Sequence, residues 1–114
     1  MDNQFSGGCS TNDTLVALQV IADDMEPEFE PGNVVVVDPT GYATHESFVI
    51  ALYDDNHELR QLLIDKSSGE QRYFLRTLKT GKLEELDDLE RVKGVVVQRN
   101  GKRINGKRNI KHYR

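Results

Sequence analysis

Residues able to do chemistry are few, and they do not gather. His45, His57 and His112 lie far apart with no His-x₃-His or Cys-His grouping, so they read as loop histidines and no metal or other cofactor is expected. The single cysteine, Cys9, sits in a polar stretch with no basic helix terminus nearby to lower its pKa, and it has no partner for an intrachain disulfide. Asp54-Asp55-Asn56 has the flavour of a calcium loop but lacks the terminal glutamate, which favours a plain turn. The cations are different. Arg99, Lys102, Arg103, Lys107, Arg108, Lys111 and Arg114 fall within residues 98–114, a segment with no acid. Residues 1–97 then hold 8 basic and 19 acidic residues, a net charge of −11. Such a segment reads first as a solvated terminus, or as an arm folded back on its own acidic face. The sharper reading is a phosphate-binding arm for nucleic acid, although Tyr113 alone could stack on a base. The alternating Glu26, Glu28 and Glu30 suggest an acidic face on an extended segment, able to hold the cations or stay solvated.

The elements that must position these residues are short. The 114 residues, 37% apolar and 30% charged with a net charge of −4, suit one domain with one core. The apolar runs are too short to cross a bilayer, and no basic-then-apolar leader opens the chain, so a cytoplasmic setting is expected. Residues 1–13 are rich in Gly and Ser and read as a flexible lead-in. Strands are predicted over Leu15–Ile21, Val34–Val37, Phe48–Tyr53, Leu59–Asp65, Arg72–Leu78 and Arg91–Gln98, with turns at Pro31-Gly32-Asn33, Asp38-Pro39-Thr40-Gly41, Asp54 to His57 and Ser67 to Glu70. The four valines suit a strand buried on both faces. Leu83, Leu86 and Leu89 are spaced by three and predict one irregular or 3₁₀-like turn. Asn100-Gly101 and Asn105-Gly106 are strong hairpin signals set among charges. The chain therefore reads as all-β: a lead-in over 1–13, a domain over 14–98 and a basic tail over 99–114.

One segment is distinctive. Ala22-Asp23-Asp24-Met25-Glu26-Pro27-Glu28-Phe29-Glu30-Pro31-Gly32-Asn33, followed by the valine run and Asp38, resembles the signature of the LexA-like and phage-repressor (S24) peptidase domain, related in fold to type I signal peptidases. Met25, Pro27, Pro31, Gly32 and Asp38 match that signature, and Asn33 replaces its aspartate. Phe48 to Tyr53, the acidic turn and Leu59-Arg60-Gln61-Leu62 resemble the second motif. Val92-Lys93-Gly94-Val95-Val96-Val97, with Gly94, resembles the closing strand. The resemblance covers residues 15–98 and implies several small coiled antiparallel sheets with little helix.

In that family a serine attacks a backbone carbonyl and a neutral lysine takes its proton. The resemblance puts Asp24 at the serine position and Arg60 at the lysine position. An ionised carboxylate is a poor nucleophile towards an amide, and a guanidinium stays protonated. The expectation is an inactive peptidase-like domain with an Asp24–Arg60 ion pair, open to bidentate geometry, in place of the dyad; two solvated side chains are the alternative. The family's self-cleavage bond, usually Ala-Gly, is absent from this sequence, and no helix-turn-helix lies in these residues. The expected role is a dimerisation or regulatory module of a phage-type or SOS-type repressor, with DNA or a DNA-binding domain as a partner, no small-molecule substrate, and a homodimer formed through the C-terminal strands. A self-cleaving peptidase and a nucleic-acid binder acting through the basic tail are the alternatives.

Overall fold

The computed structural model describes residues 5–11, 15–67 and 69–113, and for 5–11, 103, 104 and 108 it describes the backbone alone. Nine strands follow in chain order: β1 (Phe5–Thr11), β2 (Leu15–Val20), β3 (Val34–Asp38), β4 (Phe48–Tyr53), β5 (Asn56–Asp65), β6 (Arg72–Arg76), β7 (Leu83–Leu86), β8 (Val92–Ile104) and β9 (Lys107–His112). Every pairing is antiparallel, and none of the described residues is helical. The all-β expectation holds, with the small sheets joined in one path, β1-β2-β3-β8-β4-β5-β6-β7, and β9 added on β8.

β8 is the hub. Its first half lies between β3 and β4, with Val95 opposite Asp38 on one side and Val49 on the other. Its second half lies between β3 and β9. Gly94 is required where three strands crowd: a Cβ there would stand 2.5 Å from Cγ1 of Val37. Alternation along β4 and β8 separates two cores. Val20, Met25, Phe29, Val35, Val37, Ile50, Leu59 and Val96 form one, and Val49, Ala51, Leu62, Leu75, Leu86 and Val95 the other. The valine run is thus buried on one face only. Val35 and Val37 are in the core, whereas Val34 and Val36, which point to the other face of the strand, are partly exposed.

Three predicted regions fold differently. Residues 5–11 of the lead-in pair with β2 as β1, and Cys9 stands opposite Ala17 in that ladder. Leu83–Leu86 is a strand on β6: Leu86 enters the second core while Leu83 stays exposed, so pairing with Tyr73 to Arg76 overrides the three-residue spacing. The basic tail is no tail, because its residues extend β8 and form β9. The closing turn, Asn105-Gly106, has φ of 53° and 76°, the two positive values that a type I′ hairpin needs. From Val95 to Asn100 β8 runs between β3 on one side and β4 and then β9 on the other, so that stretch offers no free edge.

Candidate functional site around Asp24 and Arg60

The connection from β2 to β3, residues 21–33, closes on itself before it reaches any partner. Val20 N–H donates to Asn33 O at 2.8 Å and Gly32 N–H to Val20 O at 2.7 Å, with Gly32 at φ 95° completing the turn after Pro31. Asn33 is buried, and its Oδ1 accepts the Glu30 N–H at 3.0 Å. Met25 and Phe29, both fully buried, plug the loop into the first core. Pro27 and Pro31 stay exposed on its outer side. At the end of β3 the Asp38 carboxylate accepts the N–H and hydroxyl of Thr40, which fixes the next turn.

With Met25 anchored, Asp24 projects towards β5. Arg60 lies opposite Val49, hence on the side of the second core, and Glu58 shares its face two residues earlier. Arg60 Nη1 donates to Asp24 Oδ2 at 2.9 Å and to Leu59 O at 2.7 Å, while Nη2 donates to Glu58 Oε1 at 2.8 Å. The ion pair forms, but it is not bidentate. The two ends of the guanidinium serve two carboxylates because β-strand periodicity brings Glu58 alongside. Arg60 is 12% exposed and Asp24 29%, so the pair is half-sheltered and linked between separate elements.

The surroundings keep this chemistry quiet. Arg60 lies 5.8 Å from the Tyr53 ring, in a groove of about 220 Å³ that Leu75, Thr77, Thr80, Lys82 and Glu84 also line. Burial pushes the Tyr53 phenol well above its ordinary range, and its hydrogen bond to Glu84 adds to this, so it offers no base near neutrality. Lys79 docks beside Asp24: its N–H donates to Asp24 O at 3.0 Å and its Nζ lies 2.6 Å from Asp23 Oδ2. That hydrogen bond to Asp23 holds the ammonium above its usual pKa, opposite to what a general base needs.

A second charged centre grips the same loop from the other side. Glu28 Oε2 accepts from Lys111 Nζ at 2.8 Å and Tyr113 OH at 2.6 Å, and lies 3.3 Å from Arg99 Nη1. Arg99 Nη1 also donates to the Glu28 carbonyl. Burial alone would raise the Glu28 pKa, but hydrogen bonds from Lys111 and Tyr113, with the charges of Lys111 and Arg99, bring it below the ordinary glutamate value. The Tyr113 ring packs on Phe29 and Phe48, with centroids 5.8 and 5.4 Å away.

Of the predicted basic set, Arg99 and Lys111 therefore fold back on the acidic segment, while Lys102 and Lys107 are exposed. The Arg103 and Arg108 side chains and Arg114 lie outside the described residues. The histidines stay apart. His45 Nδ1 accepts the Ile64 N–H at 2.9 Å, His57 pairs with Leu52 and His112 with Gln98. No cluster of His, Cys, Asp or Glu able to hold a metal ion occurs among the described residues.

Sequence reasoning missed Glu58, Lys79 and Tyr53, and it noted Tyr113 as an aromatic of the basic segment without its contact to Glu28. Only Glu58 had a signal, its i, i+2 spacing to Arg60 on a strand. No curated protein and no solved structure matches the chain. A model of the family described as Peptidase S24-like does match it, over residues 2–75, which include the whole 21–33 loop, Asp24 and Arg60 but stop short of β7, β8 and β9. That span is well over half of the 114 residues, and the chain belongs to the Peptidase S24-like family.

Proposed function

We propose that the domain is a catalytically inactive S24-like module that dimerises and serves regulation in a phage-type or SOS-type repressor. The observation that carries this reading is the 2.9 Å contact between Arg60 Nη1 and Asp24 Oδ2. In a working Ser–Lys dyad those two positions hold a hydroxyl and a neutral amine. Here the resemblance puts a carboxylate and a permanently protonated guanidinium, which engage each other, so the hydroxyl attacker and the neutral amine of that dyad are both missing. Lys79, whose backbone N–H donates to the Asp24 carbonyl, is kept charged by Asp23.

Support for the dimer rests on the C-terminal part of the sheet. β9 pairs with β8 alone among the described strands, so its outer edge is the one available near the C-terminus. Between the start of β4 and the end of β9 lies a recess of about 380 Å³, lined by Phe48, Val95, Val96 and Tyr113 together with the polar Thr44, His45, Glu46 and Ser47. Tyr42, 94% exposed, also borders it. A recess of mixed polarity beside a protruding aromatic suits a two-fold contact, in which each copy supplies both parts.

The test is intact-mass spectrometry after prolonged incubation at raised pH, paired with sedimentation over a range of concentrations. The expected result is an unchanged 13.0 kDa chain sedimenting at twice that mass. A defined new fragment overturns the inactive reading, and a monomer at every concentration overturns the dimeric one.

A further inference from the structure

We propose that the β8–β9 ribbon, residues 101–109, is a contact arm for the phosphate backbone of duplex DNA. Its shape comes from the pairing pattern. β3 leaves β8 at the Val34–Asn100 pair, and β9 pairs only with β8, so beyond Asn100 the two strands leave the sheet as an isolated ribbon. Four residues of strand at about 3.3 Å each carry the Asn105-Gly106 tip roughly 13 Å outward. A two-stranded ribbon fits a B-form major groove about 12 Å wide.

The charge on the ribbon is of one sign. Residues 101–109 hold Lys102, Arg103, Lys107 and Arg108 and no acid, whereas residues 1–97 carry a net −11. Lys102 and Lys107 are exposed, and neither ammonium forms an ion pair with a described residue. Arg99 and Lys111, at the base of the same ribbon, are occupied by Glu28. The structure thus divides the described cations of this segment into an inner pair, Arg99 and Lys111, that holds the fold and an outer pair, Lys102 and Lys107, turned to solvent. An acidic body with a cationic tip presents only that tip to a polyanion. Tyr113 is packed against Phe29 and Phe48, so the arm carries no free aromatic on which unpaired bases could stack. This favours duplex over single strand.

The experiment is a fluorescence-anisotropy titration of the full chain with a short labelled duplex, and with one of its single strands, across a salt series. Expected is weak duplex binding, with log K falling linearly with log salt at a slope of about −2 to −4. Lys102→Gln with Lys107→Gln should bring that slope nearer zero by about 2, while Lys111→Gln leaves it unchanged. Circular dichroism confirms that each variant is folded. The proposal is overturned by absent or salt-insensitive duplex binding, by equal or tighter binding of the single strand, or by Lys111→Gln shifting the slope as much as the outer pair does.

Discussion

The loop over residues 21–33 is held by two charged centres of opposite design. On one side a single cation, Arg60, is shared by Asp24 and Glu58. On the other a single anion, Glu28, is shared by Arg99, Lys111 and Tyr113. Shielding does not separate them: Arg60 and Asp24 are 12% and 29% exposed, Arg99 and Glu28 15% and 22%. Surroundings do. Phe29, Phe48 and Tyr113 pack around the Glu28 centre with ring centroids 4.9 to 5.8 Å apart, so its charges are fixed by an apolar wall. The Arg60 centre opens into a groove lined by threonines and charged groups, where solvent can compensate a lost partner. One centre is a clamp. The other is a cation shared by two carboxylates beside an open groove.

The largest effect is expected at the clamp. Glu28→Gln keeps the shape and removes the carboxylate that Arg99 pairs with, while Arg99 Nε is already buried with no acceptor among the described residues. A sheltered cation without its counter-charge should cost about 2 kcal/mol, read as a lower urea midpoint with an unchanged slope. The same residue sets an acid limb. Its carboxyl titrates below 4.5 in the folded protein, so its contribution is complete above that pH. It is lost as pH falls from 4.5 through the folded value. Urea melts across that window should show the loss in the parent chain and a flatter profile in Glu28→Gln. Equal acid limbs would place the clamp's strength in the aromatic packing alone.

At the Arg60 centre the expected effects are smaller and unequal. Asp24→Asn leaves Arg60 with Glu58 and the Leu59 carbonyl, so it should cost less than Arg60→Met, which removes the cation that Asp24 and Glu58 share. A double-mutant cycle on the two should give a coupling of about 1 kcal/mol. A value near zero would make the short contact energetically empty. A value above the cost of Glu28→Gln would reverse the comparison of the two centres.

How much of this was legible beforehand differs between the centres for a physical reason. Asp24 and Arg60 could be paired because the resemblance to the S24 family puts them at its serine and lysine positions, and the motifs that carry it, the Met25-to-Asp38 segment and the Phe48-to-Leu62 hairpin, are local. The strand ladder and the Asn105-Gly106 turn could be read for the same reason, since alternation and turn chemistry are local. Glu28 stands out as part of an acidic face able to hold the basic segment, but nothing local singles out Arg99, Lys111 and Tyr113 as its partners. Their meeting depends on β8 running the length of the sheet and returning, a non-local event that composition disguises as a charged tail. β7 was hidden in the same way, because an edge strand with one buried leucine has no alternation to display. Residues 5–11 carry too few apolar side chains to signal the strand they form against β2.

The smallest effect is expected at Lys79, where distance alone would mislead. Its Nζ lies 2.6 Å from Asp23 Oδ2, closer than either carboxylate lies to Arg60, but the two side chains are 48% and 59% exposed. Water and salt screen such a pair, and holding two long side chains in one geometry offsets what attraction is left. The tie that positions the 77–81 turn is the backbone bond from Lys79 N–H to Asp24 O, which survives truncation of the side chain. Lys79→Ala should therefore leave the urea midpoint unchanged at physiological ionic strength, with a small loss emerging only at low salt. A loss matching Glu28→Gln would mean that shelter is not what separates a clamp from a surface contact in this molecule, because the more exposed pair would then be holding the loop as firmly as the buried one.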